Sequence, residues 1–147
     1  MKARSIIVIS GLILLAYVSS VLIRSYLWES RAEEYVTIAL LDISKPWSTQ
    51  KLENRASWGF LEKAKLKPAD IVHMANNSLG DLVEIKTAPK CNIQQGFDSY
   101  SDIKHTYAVC DIAAKFEKTA VVMTIRLQDE GDWESGGWKI INFVSIN

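Results

Sequence analysis

The hydrophobic pattern of the chain changes twice, and each change marks a different environment. Residues 5–23 form an apolar stretch interrupted only by Gly11 and a few serines. Lys2 and Arg4 precede it; Arg24, Tyr26 and Trp28 follow it. About 19 helical residues reach roughly 28 Å, close to the ~30 Å hydrocarbon thickness of a bilayer. A cationic tail on one side and a basic, aromatic collar on the other are the flanks of a membrane-spanning helix. This predicts a transmembrane anchor with a short cytoplasmic tail over residues 1–28 and an extracytoplasmic domain over residues 29–147, with the lipid bilayer as the partner of residues 5–23. A cleaved signal peptide is the rival reading. Val18-Ser19-Ser20 would serve as a poor cleavage site, but the apolar run continues through Val21, Leu22 and Ile23. Charges at the two ends differ little, so orientation rests on a weak bias and on the short tail, which favour the amino terminus inside.

Beyond Trp28 polar residues appear but the helical period continues. Ala32, Val36, Ala39, Leu40 and Ile43 recur at steps of three and four, with Glu29, Arg31, Glu33 and Glu34 on the other face. No Gly or Pro intervenes, so one helix is predicted over residues 5–43, ended by Pro46. Ser48 is an N-cap for a second helix carrying Leu52, Ala56 and Phe60. Lys67-Pro68 opens a third, with Asp70 in its first turn, expected to stop at Asn76-Asn77 before Gly80.

From Asp81 the period becomes two. Residues 82–87 read as a strand that can extend to Cys91, and residues 92–103 as a loop. Residues 106–116 alternate, with Ala108, Cys110, Ile112, Ala114 and Phe116 on one face and Tyr107, Val109, Asp111 and Ala113 on the other. Glu117-Lys118 is a turn, residues 120–128 a third strand, residues 129–137 a polar hairpin loop and residues 138–146 a last strand. Helices followed by a strand meander define an α+β domain, its helices packed on one face of a four-stranded antiparallel sheet.

Composition adds limits. The 17 basic and 17 acidic residues balance, which argues against nucleic acid as a partner. With 48% hydrophobic residues the domain can build a core. Cys91 and Cys110 are the only cysteines. In an oxidising compartment they are a disulfide candidate; the other reading is two small buried apolar residues.

Trp47 and Trp58 in the helical half, Leu79-Gly80 before the first strand, Thr106-Tyr107-Ala108-Val109 in the second and Gly137-Trp138-Lys139-Ile140-Ile141 at the last give the chain its resemblance. It resembles the cystatin-like and nuclear-transport-factor-2-like α+β cone over residues ~30–147, and within it a group of bacterial envelope proteins of unknown function. The resemblance implies a curved sheet cupping helices, sometimes around a pocket. It also implies a location at the bacterial inner membrane as a single-pass protein with its C-terminal domain in the periplasm. Such cones include ketosteroid isomerase, small-ligand binders and scaffolds without chemistry; one bitopic version is a scaffold subunit of type IV secretion machines. No residue of the isomerase acid–base set transfers to this chain.

Candidate chemistry is sparse. Tyr107 and Asp111 share a strand face and would line a cone pocket; Asp111 there would gain proton affinity and act as a base. The alternative is a solvated face of a one-sided sheet. His73 and His105 lie far apart and neither has metal-ligand spacing beside it, so no metal site and no cofactor are expected. Asp129, Glu130, Asp132 and Glu134 lack the alternate spacing of a calcium loop. Lys63, Lys65 and Lys67 read as a solvated helix end or a contact for anionic headgroups. Asn76-Asn77-Ser78 is a formal glycosylation tripeptide. Ala16 and Ser20 form a small-residue face in the apolar helix that can pack against another helix. The expectation is a membrane-tethered interaction or scaffold domain, working with a membrane-protein partner or as a homo-oligomer. The alternative is a binder or enzyme using the cone pocket.

Overall fold

The computed structural model describes residues 3–63, 66–98, 101–131 and 137–146. Among these, four helices precede four strands: α1 (Ala3–Ser44), α2 (Thr49–Arg55), α3 (Trp58–Lys63), α4 (Pro68–Leu79), β1 (Leu82–Asp98), β2 (Ser101–Phe116), β3 (Ala120–Asp129) and β4 (Trp138–Ile146). The strands form one antiparallel sheet in the order β1-β2-β3-β4, and the helices pack on one face of it. The fold is α+β.

α1 is one uninterrupted helix with two surfaces. Its large apolar residues from Leu12 to Leu27 are 47–69% exposed, whereas Ala32, Val36, Ala39, Leu40 and Ile43 are buried. The helix is long and apolar enough to cross a membrane. Its buried half approaches β1 most closely and β2 next, and it shares one core cluster with Ala108, Cys110, Ile112, Ala114 and Phe116 of β2 and Val121, Met123, Ile125 and Leu127 of β3. Alternate strand positions face the helices because successive side chains of a strand point to opposite faces. Alanines on both surfaces let backbone approach backbone.

Two aromatic contacts fix the ends of this interface. Trp28 meets Trp138 edge-on, with ring centroids 5.6 Å apart. Trp47 stacks on Phe116 at 6.0 Å, and its Nε1 donates to the Gly80 carbonyl at 2.7 Å. Gly80 has φ +73° and ψ −171°, a conformation reserved for glycine. A Cβ there would lie 2.8 Å from the Glu117 Cβ.

Local differences from the sequence reading have visible causes. The second predicted helix divides at Ala56-Ser57: Ala56 is extended, and the Ser57 amide donates to the Ile140 carbonyl of β4 at 2.8 Å. Ser57 Oγ then accepts from the Phe60 amide at 3.0 Å, which starts α3 as a separate helix. α4 continues through Asn76-Asn77 to Leu79. The expected loop over residues 92–103 is mostly strand, because Asn92, Gln94 and Gln95 pair with Val109, Tyr107 and Thr106. Cross-strand hydrogen bonding there overrides a polar composition, and Asn92, Gln94 and Gln95 are exposed.

The two sheet edges are treated differently. β1 has register shifts within its first nine residues, and its edge carries Lys86, Pro89 and Lys90, all features that discourage pairing. On β4 the Ser57 amide occupies the Ile140 carbonyl, and Lys139 Nζ donates to the Asn54 carbonyl at 3.0 Å.

Two predictions follow from these contacts. Gly80→Ala should cost about 1–3 kcal/mol, since it combines a disallowed backbone conformation with a steric clash; urea denaturation against the parent measures it. Asp42 accepts from Arg55 Nε at 3.0 Å and pairs with Lys51 Nζ at 3.1 Å. The hydrogen bonds from Arg55 and then Lys51 hold its carboxyl below the usual range. A depressed folded-state pKa contributes stability above the unfolded value, about pH 4, and loses it as pH falls further. Asp42 is about one-third exposed, so Asp42→Asn should cost under ~1 kcal/mol at neutral pH. Unfolding midpoints of parent and variant should converge on acidification.

Candidate functional site

The helix-facing side of the sheet is closed by side chains. Phe116, Ile112, Trp138 and Ile140 are each at most 2% exposed, and Phe60 meets Phe143 edge-on at 6.5 Å. Among the described residues, a cavity of about 130 Å³ lies under α4, lined among others by Leu40, Leu52, Ile71, Ala75, Met123 and Phe143. Its wall also includes Trp47, whose one polar atom is already committed to Gly80. Ligand sites of drug-sized molecules run to roughly 300–1,000 Å³ and carry convergent polar groups. This cavity is smaller and offers none, so it cannot orient a polar substrate.

Tyr107 and Asp111 lie on the opposite, outer face. The burial of Ala108, Cys110 and Ile112 toward the helices turns the odd-numbered residues of β2 outward. Asp111 is exposed, and its Oδ1 accepts from Thr124 Oγ1 at 2.5 Å across the β2–β3 pair. Tyr107 borders a shallow recess of about 240 Å³ with Gln94, Val109, Arg126 and Ile141. Asp111 is not among the residues bordering it, and neither residue borders the interior cavity. The structure therefore does not bring the pair into one enclosed site among the described residues.

The histidines stay apart in role. His73 Nδ1 or Nε2 lies 3.2 Å from Asn77 Nδ2 within α4. His105 Nδ1 lies 3.2 Å from Gln128 Nε2, and its ring meets Tyr107 edge-on at 6.2 Å. Among the described residues no group of three metal-ligating side chains converges. Asp129 Oδ1 accepts from the Gly131 amide, a turn contact; Asp132 and Glu134 lie outside the described residues, as do Lys65 and the side chain of Lys63. Asn76, Asn77 and Ser78 sit exposed in the last turns of α4, where the carbonyls of Asn76 and Asn77 accept from Lys118 Nζ.

Tyr35 and Arg55 make a polar hub beneath α2. Tyr35 Oη donates to the Arg55 carbonyl at 3.1 Å, and the guanidinium lies 5.5 Å from the Tyr35 ring centroid. Burial pushes the Tyr35 hydroxyl above its ordinary pKa, against the pull of Arg55. The sequence reading missed this hub, because its partners are 20 residues apart and Tyr35 lies off the apolar stripe. It ties α1 to α2 and offers no reactive group to a ligand.

Cys91 and Cys110 are direct cross-strand partners and form a disulfide, with Cα atoms 4.0 Å apart. Close Cα approach marks a non-hydrogen-bonded pair, in which amides point away from the partner strand. The Cys91 amide accordingly points out of the sheet edge and donates to Glu33 Oε1 of α1 at 3.3 Å. The disulfide and this helix contact thus secure one point of β1 from two sides. Ala16 and Ser20 lie on the exposed half of α1, and Ser20 Oγ donates to the Tyr17 carbonyl at 2.7 Å.

The crosslink spans a sequence separation of 19. Replacing both cysteines with alanine should lower stability by about 3 kcal/mol by restoring denatured-state freedom. Reductant should shift the parent's urea midpoint in the same direction and leave the variant's unchanged.

Comparison with known proteins finds no matching family model, no significantly similar curated protein and no significantly similar solved structure.

Proposed function

We propose that this chain is a membrane-tethered interaction or scaffold domain held on the extracytoplasmic side of a bilayer. The supporting observation is the continuity of α1. The helix that exposes an apolar surface from Leu12 to Leu27 supplies core residues from Ala32 to Ile43 without a break. A contiguous apolar surface of that length calls for lipid or a partner. Five helical steps, about 7.5 Å, carry the chain from Ile23 to Trp28, which packs on the domain. That distance matches a headgroup layer, so the domain rests close to the membrane surface.

Further support comes from the disulfide, which fits a compartment where such bonds persist. The filled interior favours work done on surfaces over work done in a pocket. The cystatin-like or nuclear-transport-factor-2-like cone is the architectural family we favour for residues 29–147, with the bacterial periplasm as the compartment. Among the described residues, the cavity under α4 that a binder could use is apolar and about 130 Å³.

Two measurements test this reading. The full chain should remain in the membrane pellet after alkaline carbonate extraction, and it should elute from mild detergent at native expression with a second membrane protein or a second copy. Recovery as a lone monomer would count against the scaffold role; recovery in the soluble fraction would remove the tether.

A further inference from the structure

The space beneath α4 has uniform chemistry and an unequal pair of walls. Leu52 and Met123, at most 7% exposed, belong to its fixed side. Ile71, Ala75 and Leu79 face it from α4; they stand four residues apart and so share one side of that helix. Every residue described around the 130 Å³ cavity is apolar, and Trp47 Nε1 is committed to the Gly80 carbonyl. Apolar cavities of roughly 150 Å³ stay dry and take benzene or xenon, because water entering them finds no partners.

α4 is the weakly held wall. None of its residues is fully buried. Among the described residues, the hydrogen bonds that join it to the rest of the molecule gather at its carboxyl end. There Lys118 Nζ donates to the Asn76 and Asn77 carbonyls, and the Lys118 amide to the Leu79 carbonyl. Gly80, with φ +73°, follows at once. Near Pro68 the hydrogen bonds stay within the helix, from the Asp70 and Ile71 amides to the Lys67 carbonyl. A helix fastened at one end, beside a glycine, can swing about that end with its apolar side over the opening.

We propose that the cavity binds one small hydrocarbon, a single aromatic ring or a short branched chain without hydrogen-bonding groups, and that α4 is the door through which it enters. The site belongs to the α+β domain and does not depend on the bilayer reading.

The test uses the full chain in lipid nanodiscs, labelled with carbon-13 at the methionine methyls and titrated with benzene. Of the three methionines, Met123 lines the cavity and Met74 is exposed on α4. The Met123 methyl should shift saturably and the Met74 methyl should not. Phenol should bind at least about tenfold more weakly, because its hydroxyl would be buried unpaired. Ala75→Leu fills the cavity from α4; it should abolish the Met123 shift and keep the urea midpoint at or above the parent's. Ile71→Phe adds volume one turn earlier and serves the same comparison if Ala75→Leu fails to fold. Benzene should also slow amide exchange along α4 and leave β2 unchanged. An unmoved Met123 methyl, equal shifts at Met74 and Met123, or a shift that persists in the filled variant would overturn the site. Phenol binding as tightly as benzene would overturn the ligand class, and benzene binding without slower exchange in α4 would overturn the door.

Discussion

A single helix carries an exposed apolar half and a half buried in the domain, and that constraint organises the molecule. Along α1, apolar side chains occur at every angle as far as Ile23 and then contract to one stripe. A helix apolar all round has no stable place in water. One with an apolar stripe needs a single covering surface, and the sheet provides it, chiefly through β1 and β2. The transition between the two regimes falls at Trp28, whose ring is covered by Trp138 from the opposite end of the chain. The last strand is thereby tied to the point where the helix changes character.

Close packing beneath α1 leaves little room for chemistry. Ala32, Ala39, Ala108 and Ala114 share one buried core with the larger Phe116, Trp138 and Ile140. Interiors packed this way are intolerant of inserted groups. Among the described residues, Asp111 with Thr124 lies on the outer sheet face, and Tyr35 with Arg55 joins α1 to α2.

The strongly periodic parts of this fold were legible in the sequence. The alternation from Ala108 to Phe116 and from Val121 to Leu127 reproduces the buried face of the sheet, and the 3.6-residue spacing from Ala32 to Ile43 reproduces the buried face of α1. What escaped depends on contacts between distant residues. Nothing local shows that Ala56-Ser57 breaks a helix; the break exists because Ile140, more than 80 positions later, offers a carbonyl to the Ser57 amide. The length of β1 was hidden for the same reason, since Asn92, Gln94 and Gln95 have little strand preference of their own. The outward direction of Asp111 was legible from the period of two alone; assigning it to a pocket required curvature that period does not encode.

The missing hinge has a mechanical consequence for the proposed role. A flexible linker between anchor and domain would let the domain sample many orientations. Here Ala3–Ser44 is one helix, and its last third is clamped by Trp28–Trp138 at one end and Trp47–Phe116 at the other. On the membrane reading, the end bearing Trp138 lies toward the bilayer. The turn after Phe116, together with Gly80, lies away from it, because α1 runs from Trp28 to Ser44 in that direction. The outer sheet face with Tyr107, Asp111 and Arg126 then stands beside the membrane normal at a fixed azimuth. A partner gripping that face would sense any tilt or rotation of the helix within the bilayer, and one gripping the helix would move the face. Rigid coupling of this kind suits a component that sets the geometry of neighbouring proteins.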